Sequence, residues 1–385
     1  MLVAINQLGF GAVVAVLALY AHSFGVGQSA IGLAIAVYGL ARFLVAVPAG
    51  QLADRIGRRS VLALGGLVTA AGNLLCAYAP TYPVFIGGRF VAGAGAALVL
   101  IAGTIVLADI TTPANRGRTM AIYQGVFLFA VGVGPVPGGL LAERLGLAAP
   151  FLVYTAAGAV AAVVAWFSIP ETRAGHAHGA AVVAAELPAF GVQIRLLTAR
   201  VGFVLATLVS FMGAVARTGA LFNVIPVLAR DRLGLSADRI GVGLALASLV
   251  GLVLIYPSGM LVDRFGRKLL IVPATLMSAA SMLVFILAPS YGWFLTACVI
   301  WSLATGVSGA APAAYAADVA PPGMNAAAMS AFRMLSDAGY VLGPLALGLL
   351  TDLFGADTAL ATSALLLTAA ALLFARHAPE TFRAR

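Results

Sequence analysis

Five charged side chains stand inside otherwise apolar runs: Arg42, Arg89, Arg217, Arg333 and Asp337. If those runs cross a bilayer, each charge costs about 2.5–3.5 kcal/mol to insert at mid-depth, so a residue of this kind is kept for a task. Three tasks are open to it: holding a counter-charged solute, relaying a proton, or closing an ion pair that fixes helix packing. Arg333 and Asp337 are one helical turn apart in a stripe with Ser330 and Tyr340, and Thr207, Ser210 and Arg217 follow one another at near-helical spacing. Asp337 is the only carboxylate so placed, which makes it the candidate proton carrier. Arginines outnumber it, so a cavity lined by these side chains is electropositive and suits an anionic or zwitterionic solute. Tyr38, one turn from Arg42, and Tyr123, Tyr315 and Phe332 are aromatic candidates for the cavity wall, with ordinary packing as the competing reading.

Covalent chemistry has no comparable support. No histidine pair falls within an apolar run, and there is no Gly-x-x-x-x-Gly-Lys-Ser/Thr loop to cradle a nucleotide. His176 and His178 are too few for a metal site. Cys76 and Cys298 lie in apolar runs, where a small buried thiol is ordinary. The expectation is no enzyme, no metal and no cofactor, with a membrane enzyme or a non-transporting receptor as the remote alternative.

The elements that must position these residues are membrane helices. With 62% hydrophobic and only 9% charged residues, the chain has too few polar groups to coat a water-facing surface. A span needs about 20 apolar residues. Cutting at charged or Pro/Gly-rich breaks yields twelve, at 2–22, 29–52, 61–79, 82–109, 119–142, 150–169, 201–229, 238–261, 269–288, 291–318, 326–350 and 358–377. Helix is required because an open sheet would strand backbone groups in hydrocarbon. The formal charge of +9 is scattered over short loops, which speaks against nucleic acid. With the N-terminus inside, the clusters at 55–59, 116–118 and 264–268 and the C-terminal arginines are all inner, whereas Arg144, Arg230, Arg232 and Arg239 are outer. That asymmetry puts both termini in the cytoplasm. All basic residues but Lys268 are arginine, and Ala and Gly abound, which suggests a GC-rich bacterial genome and the bacterial cytoplasmic membrane.

A polar hinge separates the second and third spans. Gly50 to Arg59 reads Gly-Gln-Leu-Ala-Asp-Arg-Ile-Gly-Arg-Arg, and Gly259 to Lys268 reads Gly-Met-Leu-Val-Asp-Arg-Phe-Gly-Arg-Lys. Gly50, Asp54, Arg55, Gly57 and Arg58 thus recur as Gly259, Asp263, Arg264, Gly266 and Arg267. The same offset pairs Asp109 with Asp318, Gly134-Pro135 with Gly343-Pro344, and Pro170-Glu171-Thr172 with Pro379-Glu380-Thr381. Two tandem six-helix halves are implied, residues 1–172 and 201–385, joined by a cytoplasmic linker at 173–200, with a solute site between halves. Within the linker, Phe190 to Arg200 has the pattern of a short amphipathic surface helix.

On these residues the chain resembles the major facilitator superfamily along its whole length. Gly50-x-Leu-x-Asp54-Arg-x-Gly57-Arg58-Arg59 is similar to that family's loop 2–3 signature. The stretch Gly-Pro-x-x-Gly-Gly from Gly134 to Gly139, including Pro135, Gly138 and Gly139, resembles the helix-5 signature of its drug:proton antiporters, in the tetracycline-exporter-like and sugar-efflux-like branch. Ala130 stands where that signature's leading Gly would be. Arg89, in Gly-Arg-Phe-Val-Ala-Gly, matches the family's helix-4 arginine, which the resemblance casts as a proton relay or a brace for helix 1. Asn6 occupies the place of the exporters' helix-1 acid.

The resemblance further implies that Asp54 docks beneath helix 11 and, with Arg58 and Asp109, latches the halves together. By the repeat, Asp263, Arg267 and Asp318 form the partner latch beneath helix 5, expected to be weaker because Arg116 is matched by Asn325. The expected function is a secondary active transporter working by alternating access: proton-coupled export of a small organic molecule, by a chain acting as a monomer. The alternative is a facilitator or uptake carrier for a small anionic metabolite.

Overall fold

A computed structural model of the chain describes residues 2–111, 116–172, 190–308, 311–321 and 324–381. Among the described residues every regular element is helical, because only a helix pairs its own backbone groups within one segment in lipid. Twelve helical stretches among these residues are long and apolar enough to cross a membrane. In order they are α1 (Leu2–His22), α2 (Gln28–Ile56), α3 (Arg58–Ala77), α4 (Tyr82–Ile110), α5 with α6 (Arg116–Val133, Pro135–Leu145) and α7 (Ala149–Ser168). A short α8 (Phe190–Thr198) precedes α9 (Val201–Val215), a π-helical stretch (Ala216–Val224) and α10 (Ile225–Leu233), which together make the seventh span. The rest are α11 (Ala237–Phe265), α12 (Lys268–Leu287), α13 with α14 (Tyr291–Ser308, Ala311–Asp318), α15 (Asn325–Phe354) and α16 (Ala356–His377).

Packing divides the chain into two compact units, Met1–Val182 with Leu235–Ala245, and Val183–Gly234 with Leu246–Arg385. In the first unit α3 packs on α4 and α7, and α2 packs on α4. Lipid gives no hydrophobic drive between helices, so contact depends on small residues that let backbones approach. Ala49, Ala53, Ala63, Ala102 and Ala165 accordingly share a core with Val61, Leu62, Leu98 and Val99. At one end of this unit an aromatic group of Tyr20, Phe24, Phe85 and Phe151 closes over the helix ends. The Tyr20 hydroxyl there donates to the Cys76 carbonyl at 2.9 Å.

Two expected spans differ from simple α-helices. The fifth runs from Arg116 to Leu145 but its hydrogen-bond ladder is interrupted at Gly134, because Pro135 and Pro137 lack the N–H that would close two rungs. The seventh reaches Leu233, beyond the expected 229, and widens to a π-helix over Ala216–Val224. The widened stretch faces a break on α15. Pro344 sits inside that helix and cannot donate to the Tyr340 carbonyl one turn back. The Thr218 hydroxyl, on the π-helical stretch, divides its proton between Ala214 O at 3.0 Å and Tyr340 O at 3.3 Å. Five residues on, Asn223 Nδ2 donates to the Pro344 carbonyl at 3.0 Å. The wider turn brings both side chains onto the proline break.

In the second unit Leu205, Ala206 and Val209 of α9 pack with Tyr315 and Phe374. A neighbouring cluster joins Leu197 of α8 to Phe203, Ala328 and Phe332. The short helix expected after Phe190 therefore exists, but Leu197 is fully buried in that cluster.

Candidate functional site

The hinge between α2 and α3 is one residue, Gly57, at φ 96° and ψ 153°, a conformation essentially closed to other residues. The turn presents the first N–H groups of α3 outward. The Glu171 carboxylate takes them, accepting from Arg58 N at 2.9 Å and Arg59 N at 3.2 Å. Arg58 then gathers the cluster: its Nη2 lies 3.1 Å from Asp54, its Nε 3.2 Å from Asp109, and Nη1 donates to Ala53 O at 3.3 Å. The Thr172 hydroxyl donates to Asp109 at 2.7 Å. Asp109 is 9% exposed and Arg58 11%, whereas Asp54 is 70% exposed. Arg58 and Asp109 thus form the sheltered pair, with Asp54 at its rim.

The repeat rebuilds this arrangement in the second unit. Gly266 has φ 92°, and Glu380 accepts from Lys268 N at 3.2 Å. Arg267 Nε stands 3.0 Å from Asp318, and Thr381 donates to the same carboxylate at 3.1 Å. Asp318 is 34% exposed here, so water screens this pair more than its counterpart. The side chains of Arg116, Asp263 and Asn325 lie outside the described residues. Gly50 is helical with open space where a Cβ would stand, so packing within its own unit does not ask for glycine. Glu171, Glu380, Thr172 and Thr381 are the functional-looking residues that motif reading passed over. Their signal was present, as Pro-Glu-Thr repeated in register.

The mid-membrane residues of the first unit form one neighbourhood. Arg89, 1% exposed, lays its guanidinium 4.4 Å from the Tyr38 ring centroid and donates Nε to Ala34 O at 3.1 Å. Tyr38 and Ala34 both belong to α2, so the brace expected toward helix 1 runs to helix 2 instead. Phe10 stacks on the other part of this group, 5.4 Å from Tyr38, and the Tyr38 and Tyr154 hydroxyls meet at 3.4 Å. Arg42 is half-buried one turn below Tyr38, within electrostatic reach of Tyr123 and Tyr154. Asn6 is 1% exposed. Both polar atoms of its amide, together with Arg89 Nη1 and the Tyr123 hydroxyl, lack a hydrogen-bond partner among the described residues.

In the second unit Ser330, Arg333, Asp337 and Tyr340 of α15 are all exposed, as are Met334, Leu335 and Leu342, while Ala331, Phe332 and Leu347 on the same helix are buried. Arg217 is half-buried at the second position of the π-helical stretch. Thr207 is not part of a wet face, being 5% exposed with its hydroxyl turned to Phe203 O at 2.8 Å. Tyr315 and Phe332 resolve as packing residues. Tyr315 is fully buried against Phe374 and donates to Pro379 O at 2.7 Å, and Phe332 is 7% exposed in the α8 cluster.

The Gly-Pro-x-x-Gly-Gly stretch is a contact surface. A Cβ on Gly134 or Gly138 would overlap the backbone of Gly11 and Ala12 on α1. One on Gly139 would overlap Ala237 O, at the start of α11, whose segment Leu235–Ala245 packs as part of the first unit. Glu143, one turn further along α6, accepts from Ala237 N at 3.2 Å. Pro135 supplies the ladder break described above.

Comparison with known proteins agrees with this geometry. A family model described as Major Facilitator Superfamily matches residues 1–237 and 203–385. Multidrug resistance protein MdtL of Shewanella oneidensis is 27% identical over 69% of this chain and 65% of its own length. The class C tetracycline resistance protein of Escherichia coli is 29% identical over 68% of this chain and 65% of its own length. Among solved structures, a bacterial homologue of the human lysosomal transporter Spinster superposes with a TM-score of 0.82 at 17% identity, covering 97% of this chain and 94% of that one.

Proposed function

The chain belongs to the major facilitator superfamily, and from that premise we propose a proton-coupled exporter of a small organic molecule that works by alternating access. Family membership makes it a multi-pass membrane transporter, not an enzyme. The observation that carries export is the helix-5 signature, in which Gly134, Gly138 and Gly139 are each required by a backbone contact. The kinship with multidrug and tetracycline resistance proteins supports the same direction.

In this reading the two hinge clusters are latches of unequal strength. Asp54, Arg58 and Asp109 dock beneath the eleventh span, α15, when the site faces outward, and Asp263, Arg267 and Asp318 dock beneath the fifth, α5 with α6. Gly50, Gly259 and Arg116 belong to the same closure. A carboxylate under a helix N-terminus is favoured by about 0.3–1 kcal/mol. Asp337 carries the coupling proton, with Arg333 one turn away to reset it, and Arg217 faces the solute path. The protein acts as a monomer in the bacterial cytoplasmic membrane, with both termini inside.

Purified protein in liposomes loaded with a pH-sensitive dye tests this directly. Exported solutes are expected to move protons in the opposite direction, and Asp337→Asn to abolish the proton movement. Solute flux with no proton flux would instead establish a facilitator or an uptake carrier for an anionic metabolite. One observation favours that second reading: an amide, Asn6, stands where exporters of this branch carry an acid.

A further inference from the structure

Residues 1–172 contain four carboxylates, Asp54, Asp109, Glu143 and Glu171. All four sit at helix ends and all are engaged. Asp54 and Asp109 flank Arg58, Glu171 takes the first N–H groups of α3, and Glu143 takes the Ala237 N–H. Arg42 and Arg89, inside the spans of the same unit, have no carboxylate partner among its described residues. For Arg89 the Tyr38 ring and the Ala34 carbonyl offset part of the cost of burial, yet Nη1 still lacks an acceptor. A buried cation without a counter-charge is strongly disfavoured. A charge that arrives and leaves with the solute is the simplest neutralisation.

The unpartnered groups around these arginines fit such a charge. Asn6 lies one helical turn from Phe10, which stacks on Tyr38, and one turn from Gly9, which abuts the Tyr154 ring. Its buried amide and the Tyr123 hydroxyl are both without partners among the described residues, although buried polar groups are ordinarily satisfied. Arg42, half-buried, is the more exposed of the two arginines. A single half-buried guanidinium with hydroxyl and amide donors suits a monoanion, and the Phe10 and Tyr38 rings near it suit an apolar body.

We propose that the first unit holds the carboxylate head of an amphipathic organic anion, with Arg42, Tyr123 and Asn6 as its contacts. Arg89, behind the Tyr38 ring, acts as a positioning residue that keeps the neighbourhood electropositive. This rests on the transporter reading and narrows its substrate to a class.

The test uses matched ligands on the full-length protein in detergent: radiolabelled benzoate, benzamide and benzylamine, and the corresponding 1-naphthyl acid, amide and methylamine. At neutral pH each set keeps one ring and changes the head from anion to neutral to cation. The acids are expected to bind at least about tenfold more tightly than the amines. Arg42→Gln should weaken the acids about 30-fold or more, the loss typical of removing one partner of a desolvated charge pair. Arg42→Lys should restore part of it, and Tyr123→Phe, which removes only a hydroxyl, should weaken the acids by less. Arg144→Gln, an equal loss of charge at an exposed site on α6, should leave binding unchanged. Amines binding as well as acids, no acid binding at about 10 mM, roughly tenfold above a millimolar Kd, or acid binding indifferent to Arg42→Gln would each overturn the proposal. Failure of proton coupling is read separately: acids that bind and cross liposomes without moving protons leave this site standing and refute the exporter.

Discussion

Replacing Gly57 and Gly50 by alanine, one at a time, separates two glycines that belong to one signature. At Gly57 the backbone holds φ 96° and ψ 153°, and a non-glycine residue there costs about 1–3 kcal/mol of strain. The added Cβ would also overlap the Glu171 carboxylate. That carboxylate can swing away, but it then gives up the N–H groups of Arg58 and Arg59, at about 0.5–2 kcal/mol for a lost helix cap. Glu171 is exposed, so the lower end applies and the sum is about 1.5–3.5 kcal/mol. At Gly50 the backbone is helical and the Cβ meets open space, so alanine gains up to about 1 kcal/mol of helix propensity. Cys76 and Cys298 are free and buried, so a thiol-reactive fluorescent dye reports unfolding on heating. Gly57→Ala should melt on the order of 2–4 °C lower than the unmodified protein, and Gly50→Ala at or slightly above it. A Gly57→Ala melt within about 1 °C of the unmodified protein, or an equal loss from both variants, would refute the argument.

Thr218→Val should destabilise by about 1 kcal/mol, because the Tyr340 carbonyl then has no donor. In a Pro344→Ala background, where the new N–H serves that carbonyl, the same change should cost less, and a thermal double-mutant cycle with no coupling would disprove the account. Arg58→Gln should cost more than Arg267→Gln, since it strands Asp109 at 9% exposure whereas Asp318 is 34% exposed. The expected losses are about 2–3 and at most about 1 kcal/mol, and equal losses in the dye assay would show that the two clusters do not differ in shelter.

Much of this was legible in the residues. A bilayer admits few backbone solutions, so long apolar runs bounded by charges translate almost directly into helices, and the observed elements start and stop close to the expected breaks. Arg58 and Asp109 were grouped by their place at the inner ends of their spans, and the tandem repeat extended the grouping to Arg267 and Asp318, because pairs recurring in register share a setting. The same repeat carried Pro-Glu-Thr, and its role escaped notice because a carboxylate capping a helix distant in sequence leaves no local pattern. On α15 the helical spacing of Ser330, Arg333, Asp337 and Tyr340 was readable, and all four are exposed. The stripe on the seventh span was not, since Thr207 turns inward and the π-helical widening changes the register before Arg217.

By itself the sequence determined the class of solvent, the helical architecture, the duplication and the charged ends of the helices, since these follow from composition, period and repetition. Only the tertiary structure decided where Arg89 points, that Asn6 and Tyr123 are left without partners, and that the seventh span departs from the α-helix. Those outcomes depend on what a neighbouring helix offers or withholds: the Tyr38 ring and Ala34 carbonyl on α2 for Arg89, and the donor missing at Pro344 for Thr218. No run of residues along one chain segment encodes what stands across from it.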